Sequence, residues 1–368
     1  MRVLICGGGV IGASIAYFLS CRGVKATVIE RTGLACAASG KSGGFLALDW
    51  CDGTPLEALA RRSFALHATL ADTIARDWGY RPMTTYAGSA AAEGHARKAY
   101  SAHHLGWLSD TVRISRQLGS PDTTAQVHPG QFTKAMMWAA QGQGAELRPG
   151  RVTNLAQEAG RVTGVEVDGT IVEGDAVVIA MGPWSVLAAR WLPLPPVFGL
   201  KGHSLVFETG SEVPAEALFL EFQEARGSVH APEIFPRADG TTYVCAISSE
   251  APVPLDPGAV TPDPGAAERL QAMCTSLSPI LRQAKVVASQ ACHRPVTQDG
   301  LPLIGRVPGI EGAYVATGHS VWGILNAPAT GEAVAELIVD GDERTVDLSP
   351  FDPRRLAPLD PKRLRMEG

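Results

Sequence analysis

The run Gly7-Gly8-Gly9-Val10-Ile11-Gly12 constrains this chain more than any other stretch. It follows a short apolar segment, Arg2–Cys6, and precedes a helical pattern carrying Ala16, Leu19 and Ser20 that stops at Gly23. A second strand pattern, Lys25–Ile29, closes on Glu30. Strand, glycine turn, helix, strand and terminal acid together form one complete dinucleotide-binding unit. Gly7 permits the tight turn, Gly9 lets the backbone approach a pyrophosphate, and Gly12 lets the helix pack on the sheet. The helix N-terminus at Val10 and Ile11 offers free N–H groups and a positive dipole end to phosphate. Glu30 would accept hydrogen bonds from ribose hydroxyls, and an acid at that position disfavours a 2′-phosphate. A bare glycine motif would carry little weight in a chain with 40 glycines; the flanking strands, helix and acid make it specific. NAD and FAD both remain open at this point.

A chain of 368 residues is long for one core, so two domains are expected. The net charge of −5, without a basic stripe, argues against nucleic acid as a partner. Residues 3–19 are apolar but interrupted by glycines that have a task, so no membrane span is read there. The sequence opens directly on the first strand, so no cleavable leader is expected. Seven scattered cysteines fit a reducing compartment, the cytoplasm, and none are spaced as a metal site.

After Glu30 and Arg31 comes a small-residue loop, Gly33–Gly44, which can lie close to a ligand because its side chains take little room. Leu56–Trp78 has helical spacing. Residues 80–125 are polar and less regular, carry Tyr80, Tyr86, Tyr100, His103, His104 and Trp107, and are assigned to a second domain or its lid. A helix over Gln131–Gln143 and short strands near 151–155, 162–167 and 170–172 follow. Ala176–Ala180 reads as a buried parallel strand, so Ala180, Gly182 and Trp184 at its carboxyl end should lie beside the first glycine turn. Residues 198–288 are strand-rich, with a hairpin turn at Arg237–Gly240 and a helix over Gly265–Leu277. The chain then returns to glycine-rich sequence through Gly300 and Gly305, a strand at Ala313–Thr317, the run Gly318–Gly323, and a last helix near Asn326–Val339. Residues 347–368, rich in proline and charge, read as a solvated extension.

The far return to the nucleotide fold favours a large flavin, whose isoalloxazine ring lies far from its adenosine. The layout resembles the FAD-dependent D-amino acid oxidase, glycine oxidase and sarcosine oxidase family over nearly the full length. The resemblance rests on Gly7–Gly12 with Glu30, on Ala38-Ser39-Gly40, on Ala180–Trp184, on Arg294–Gly305, and on Gly318-His319 through Gly323-Ile324-Leu325 to Gly331. The last two resemble glycine oxidase closely; residues 38–50 are more similar to a little-characterised branch of the family.

The resemblance implies an α/β fold: a Rossmann-like, glutathione-reductase-type FAD-binding domain with a second α+β substrate domain on an antiparallel sheet. The FAD-binding domain would be discontinuous, over 1–79, 126–191 and 289–345. The substrate domain would take 80–125 and 192–288, leaving 346–368 as a tail. Around the cofactor, Arg31 would stand beside Glu30, and Ser39, Gly40, Lys41, Ser42, Gly43 and Gly44 would touch the pyrophosphate and approach the flavin. Val152 would offer backbone groups to the adenine. Gly305, Gly318, His319, Val321, Trp322, Gly323 and Ile324 would face the flavin.

Arg294 matches the arginine that pairs with the substrate carboxylate in glycine oxidase, and a guanidinium fork suits a carboxylate; the alternative is an ion pair to Asp299. His319 would orient substrate or contact the flavin, or else make a structural hydrogen bond to backbone. Lys201 would assist oxygen reduction near the flavin; the alternative is a solvent-facing lysine. Cys292 aligns with the region of the covalent flavin link in monomeric sarcosine oxidase; a small buried thiol, with FAD bound non-covalently, is the preferred reading. Phe235, Tyr243 and Trp50 would wall the pocket or belong to the core. Where glycine oxidase has a second arginine, this chain has Val321 and Trp322, which argues against glycine as substrate and for a more apolar wall. The expected reaction is oxidation of a C–N bond of an amine or amino acid, with O2 as acceptor and hydrogen peroxide as product. A dehydrogenase using a quinone or protein acceptor, and a non-catalytic flavoprotein, are the alternatives.

Overall fold

The computed structural model describes residues 1–92, 101–224 and 227–364. Strand β1 (Arg2–Cys6), helix α1 (Val10–Cys21) and strand β2 (Lys25–Glu30) form the unit expected from the sequence. They sit in a six-stranded sheet ordered 303–306, 313–317, 176–179, β1, β2, 146–149. All neighbours are parallel except Leu303–Arg306, which runs antiparallel to Ala313–Thr317. Val3, Leu4, Ile5 and Cys6 are all fully buried, the mark of a strand covered on both faces. Val3, Ile5, Val28 and Val178 pack against α1 and the helices Glu57–Thr73, Pro129–Gly142 and Gly323–Val339. Leu4, Cys6, Val177 and Ile179 face a three-stranded antiparallel sheet, Val152–Glu158, Arg161–Val167 and Thr170–Glu173.

The second large element is an eight-stranded sheet. Its order is 285–296, 198–208, 241–249, 233–236, 216–223, 84–91, 113–119, with Val229–His230 paired to Glu216–Gln223. Every pairing in it is antiparallel except that of Glu216–Gln223 with Thr84–Ala91. Helix Ala266–Leu277 covers one face through Leu270, Met273, Cys274 and Leu277. The fold is therefore a Rossmann-like α/β nucleotide-binding layer joined to a largely antiparallel second sheet.

Residues 80–125, assigned to the second domain or its lid, supply the strands Thr84–Ala91 and Arg113–Gly119 to the large sheet; Tyr100 lies outside the described residues. Two sequence expectations change. Residues 289–296, expected with the nucleotide-binding part, end a twelve-residue strand of the large sheet, paired from Phe198↔Val296 to Glu208↔Lys285 with one register shift between Val206 and Phe207. The tail, read as solvated, buries Val346, Leu348 and Phe351, and its Arg355 Nε donates to Asp299 Oδ2 at 2.7 Å. No described helix is long and apolar enough to cross a membrane.

Candidate active site

The carboxyl ends of β1, β2, Ala176–Ile179 and Ala313–Thr317 open on a cavity of about 630 Å³, roofed by the inner face of the eight-stranded sheet. At one end lie Gly7, Gly9, Val10 and Ile11, Glu30 and Arg31. Gly7 has φ +114°, and a Cβ there would meet the Ala180 carbonyl, so only glycine allows the two strand ends this close. A Cβ on Gly12 would collide with the Gly7 carbonyl and touch Ile5 at 3.2 Å. Gly12 therefore serves packing and does not line the cavity. Glu30 braces the turn: Oε2 accepts from the Gly8 N–H at 2.8 Å and Oε1 from the Thr32 N–H at 2.8 Å. Ser39 Oγ accepts from the Val10 N–H at 2.9 Å, which ties the small-residue loop to the first turn of α1.

Val152, Ala180, Gly182 and Trp184 also line this end. Trp184 Nε1 donates to the Pro254 carbonyl and the Arg31 guanidinium to the Leu255 carbonyl, each at 2.7 Å. These bonds draw loop 250–264 across the cavity. Its far end is fixed by Asp263, whose carboxylate takes Lys201 Nζ at 2.5 Å, Ser249 Oγ at 2.6 Å and approaches His203 Nε2 at 3.2 Å. Lys201, expected near the flavin or in solvent, is buried in this ion pair and does not line the cavity. The Lys201 hydrogen bond is the first cause holding the Asp263 carboxyl down at about 2.

At the other end, Ser42, Gly43 and Gly44 face Gly318, His319, Val321, Trp322, Gly323 and Ile324. The loop is clamped by its carbonyls: Arg237 donates to Ser42 O, Gln290 to Lys41 O and Gln126 to Gly43 O, at 3.0 to 3.3 Å. A Cβ on Gly43 would run into the Phe235 ring and approach Tyr243 at 3.2 Å. Gly40 packs against the Ala35 carbonyl; Gly40, Lys41 and Gly305 do not line the cavity. Opposite, Ser320 holds φ +50°, a conformation that non-glycine residues adopt rarely, at the entry to helix Gly323–Val339. His319 is buried and its Nε2 pairs with Thr330 Oγ1 at 3.1 Å, while Nδ1 has no partner. Burial pushes this imidazole down to about 3, so it is neutral at neutral pH.

The roof and the segment 45–50 supply the remaining wall. Phe45, Trp50, Phe219, Phe235 and Tyr243 form a run of stacked and edge-on rings with centroids 4.8 to 6.1 Å apart, all lining the cavity. Cys292, Arg294 and Gly202 lie on adjacent strands. The Arg294 guanidinium covers Gly202, where a Cβ would come within 3.0 Å of its central carbon, and Nη1 donates to Ser248 Oγ at 3.1 Å. Asp299 is engaged by Arg355, and no described carboxylate forms an ion pair with Arg294. Cys292 is buried and its thiol is pushed up by burial, hence protonated. Sequence reasoning missed Glu233, which shares this wall with Cys245 and Phe219. The signal was present: Glu233 stands two residues before Phe235, so both point to one face of a strand.

Residues 2–337 match the family described as FAD dependent oxidoreductase. The chain belongs to that family. This FAD-dependent oxidoreductase is 28% identical over 390 residues to glycine oxidase of Pseudomonas putida, with 96% of this chain and 98% of that protein aligned. It is 29% identical over 381 residues, 96% of this chain and 97% of the other, to a Schizosaccharomyces pombe protein named only as an oxidoreductase. Among solved structures it is similar to glycine oxidase from Bacillus cereus, with TM-score 0.78, 26% identity, and 93% of this chain and 98% of that one covered. FAD fits the cavity of the oxidoreductase on its own terms. An acid stands at the adenosine end, glycines that a Cβ would crowd stand at the α1 N-terminus, and a second helix N-terminus lies at the far end.

Proposed function

We propose that this FAD-dependent oxidoreductase oxidises the C–N bond of a small amino acid or amine, with O2 as electron acceptor and hydrogen peroxide as product. The observation that carries the reading is Arg294: a guanidinium on the cavity wall with a serine partner and no described carboxylate in ion-pairing contact. It supplies two parallel donors to a substrate carboxylate. The aromatic run beside it excludes water and holds the apolar part of the substrate. FAD would be held non-covalently by the two glycine-rich ends of the cavity and would supply the acceptor for two electrons, while Cys292 stays a protonated thiol on the cavity wall. The N-terminus of helix Gly323–Val339 favours negative charge at the opposite wall. Neutral His319, anchored by Thr330, shapes that wall without adding charge. The seven free cysteines suit a reducing cytoplasm.

The test is a substrate screen by anaerobic bleaching, followed by oxygen uptake and peroxide release. Arg294→Ala should raise KM by roughly 30- to 500-fold, the loss of a charge-assisted pair, and retain the flavin. Reduction of a dye without oxygen uptake would replace the oxidase reading with a dehydrogenase.

A further inference from the structure

Glu233 is a carboxylate that neither the fold nor the carboxylate clamp uses. It opens strand Glu233–Pro236, in the middle of the large sheet, opposite Phe219 on one side and Cys245 on the other. Its side chain lines the cavity with Phe219, Phe235 and Cys245. Its one described hydrogen bond is from the Cys245 thiol, Sγ to Oε2 at 3.5 Å, a weak donor at the long limit. No described cation forms an ion pair with it. Arg294 is near enough to act on its charge without pairing. A carboxylate in a largely apolar wall, held by a thiol alone, is costly unless something cationic joins it. Of the described cavity-lining side chains contributed by the large sheet, Glu233 and Arg294 are the ionic ones, and they are of opposite sign.

We propose that Glu233 is the second substrate anchor: it receives the ammonium group of a substrate whose carboxylate lies on Arg294, and takes one proton from it. This deepens, and rests on, the amino-acid reading above. An ammonium nitrogen has no lone pair with which to form a C=N bond, so it must lose a proton before the carbon is oxidised. In that step an N–H bond breaks, an O–H bond forms on Glu233 and the electron pair stays on nitrogen; nothing is oxidised or reduced. The arrangement selects amino acids over simple amines, which leave Arg294 empty, and over hydroxy acids, which leave Glu233 unpaired. The titratable groups facing Glu233 are Cys245 from the neighbouring strand and Arg294 from Lys285–Val296; strand Glu216–Gln223 presents Phe219, and Tyr243 stands opposite Phe235 two residues on. Burial raises the Glu233 carboxyl and Arg294 partly opposes this, which suits a group that must hold a proton.

The experiment uses the holoenzyme and Glu233→Gln, which keeps shape and removes charge. Two ligands without an oxidisable α-hydrogen are titrated against the visible flavin spectrum: 2-aminoisobutyrate, which has the amine, and pivalate, which lacks it. In Glu233→Gln the first should bind about tenfold more weakly, and the second equally well or better, because a nearby negative charge is gone. Glu233→Asp should retain part of the preference for the amine, and supplies the comparison if the Gln variant does not fold. With an amino acid that bleaches the wild type, the acid limb of bleaching rate against pH should move upward in Glu233→Gln. Equal affinities of both ligands for wild type and Glu233→Gln, or an unmoved acid limb, overturn the proposal. If no amino acid or amine bleaches the wild type, the oxidation reading fails separately, and the two ligands still report on Glu233.

Discussion

Gly202→Ala tests the carboxylate clamp without touching a functional atom. Gly202 lies on Phe198–Glu208, paired with Cys292, and the Arg294 guanidinium rests on it. A Cβ at Gly202 would stand 3.0 to 3.1 Å from the guanidinium carbon and both terminal nitrogens. Ordinary contact begins near 3.4 Å, so the guanidinium must yield by a few tenths of an ångström. The yielding group is the end of a flexible side chain, so stability should change by less than about 0.5 kcal/mol. A displaced fork keeps one good hydrogen bond to a carboxylate and weakens the other, a loss of about 1–2 kcal/mol. That corresponds to a fall in kcat/KM of roughly 5- to 30-fold, carried mainly by KM. The assay is steady-state oxygen uptake, with a thermal melt and an FAD titration as controls. In an Arg294→Ala background, Gly202→Ala should add nothing, because the group it displaces is gone. A kcat/KM within twofold of wild type, or an undiminished effect in the Arg294→Ala background, would refute the reasoning.

The other predictions concern the cofactor end and the frame. Gly43→Ala drives a methyl into the Phe235 ring and should weaken FAD binding by tenfold or more, about 1.4 kcal/mol, measured by fluorescence titration of apoprotein; an unchanged Kd would show that the loop adapts. Asp263→Asn removes the negative partner of Lys201 and His203, so loop 250–264 should loosen and FAD should dissociate faster with kcat preserved; equal dissociation rates would detach this latch from the cofactor. Burial holds His67 down at about 4 and His319 at about 3, so below the ordinary value of 6.5 the unfolded chain binds protons that the folded chain refuses. Stability present above pH 6.5 is therefore lost as pH falls, by roughly 2 kcal/mol per histidine at pH 5; denaturant melts between pH 5 and 8 check this, and a flat profile contradicts it. Phe351→Ala should cost about 3–5 kcal/mol, because the ring is fully buried; a thermal melt that barely moves would return the tail to solvent.

What the sequence by itself determined is the contiguous part of the machinery. In β1, the glycine turn, α1 and β2, the residues that form the site are within a few turns of one another; a positive φ favours glycine at Gly7 and a contact with the Gly7 carbonyl demands it at Gly12. The same holds for Gly318–Ile324, which a strand end and a helix start fix together. Glu30 was legible because its distance along the chain from Gly7 is set by one helix and one strand. Only the tertiary structure decided which side chains meet on the cavity roof. Glu233 and Arg294 share it through pairings between strands far apart in sequence, and the side facing the cavity depends on register, which a shift of one residue inverts. Lys201 shows the same limit from the other side: its sequence neighbours say nothing of Asp263, 62 residues on, which claims its charge. Local rules describe a backbone that must cradle phosphate; which side chains meet above the cofactor is a property of the folded sheet.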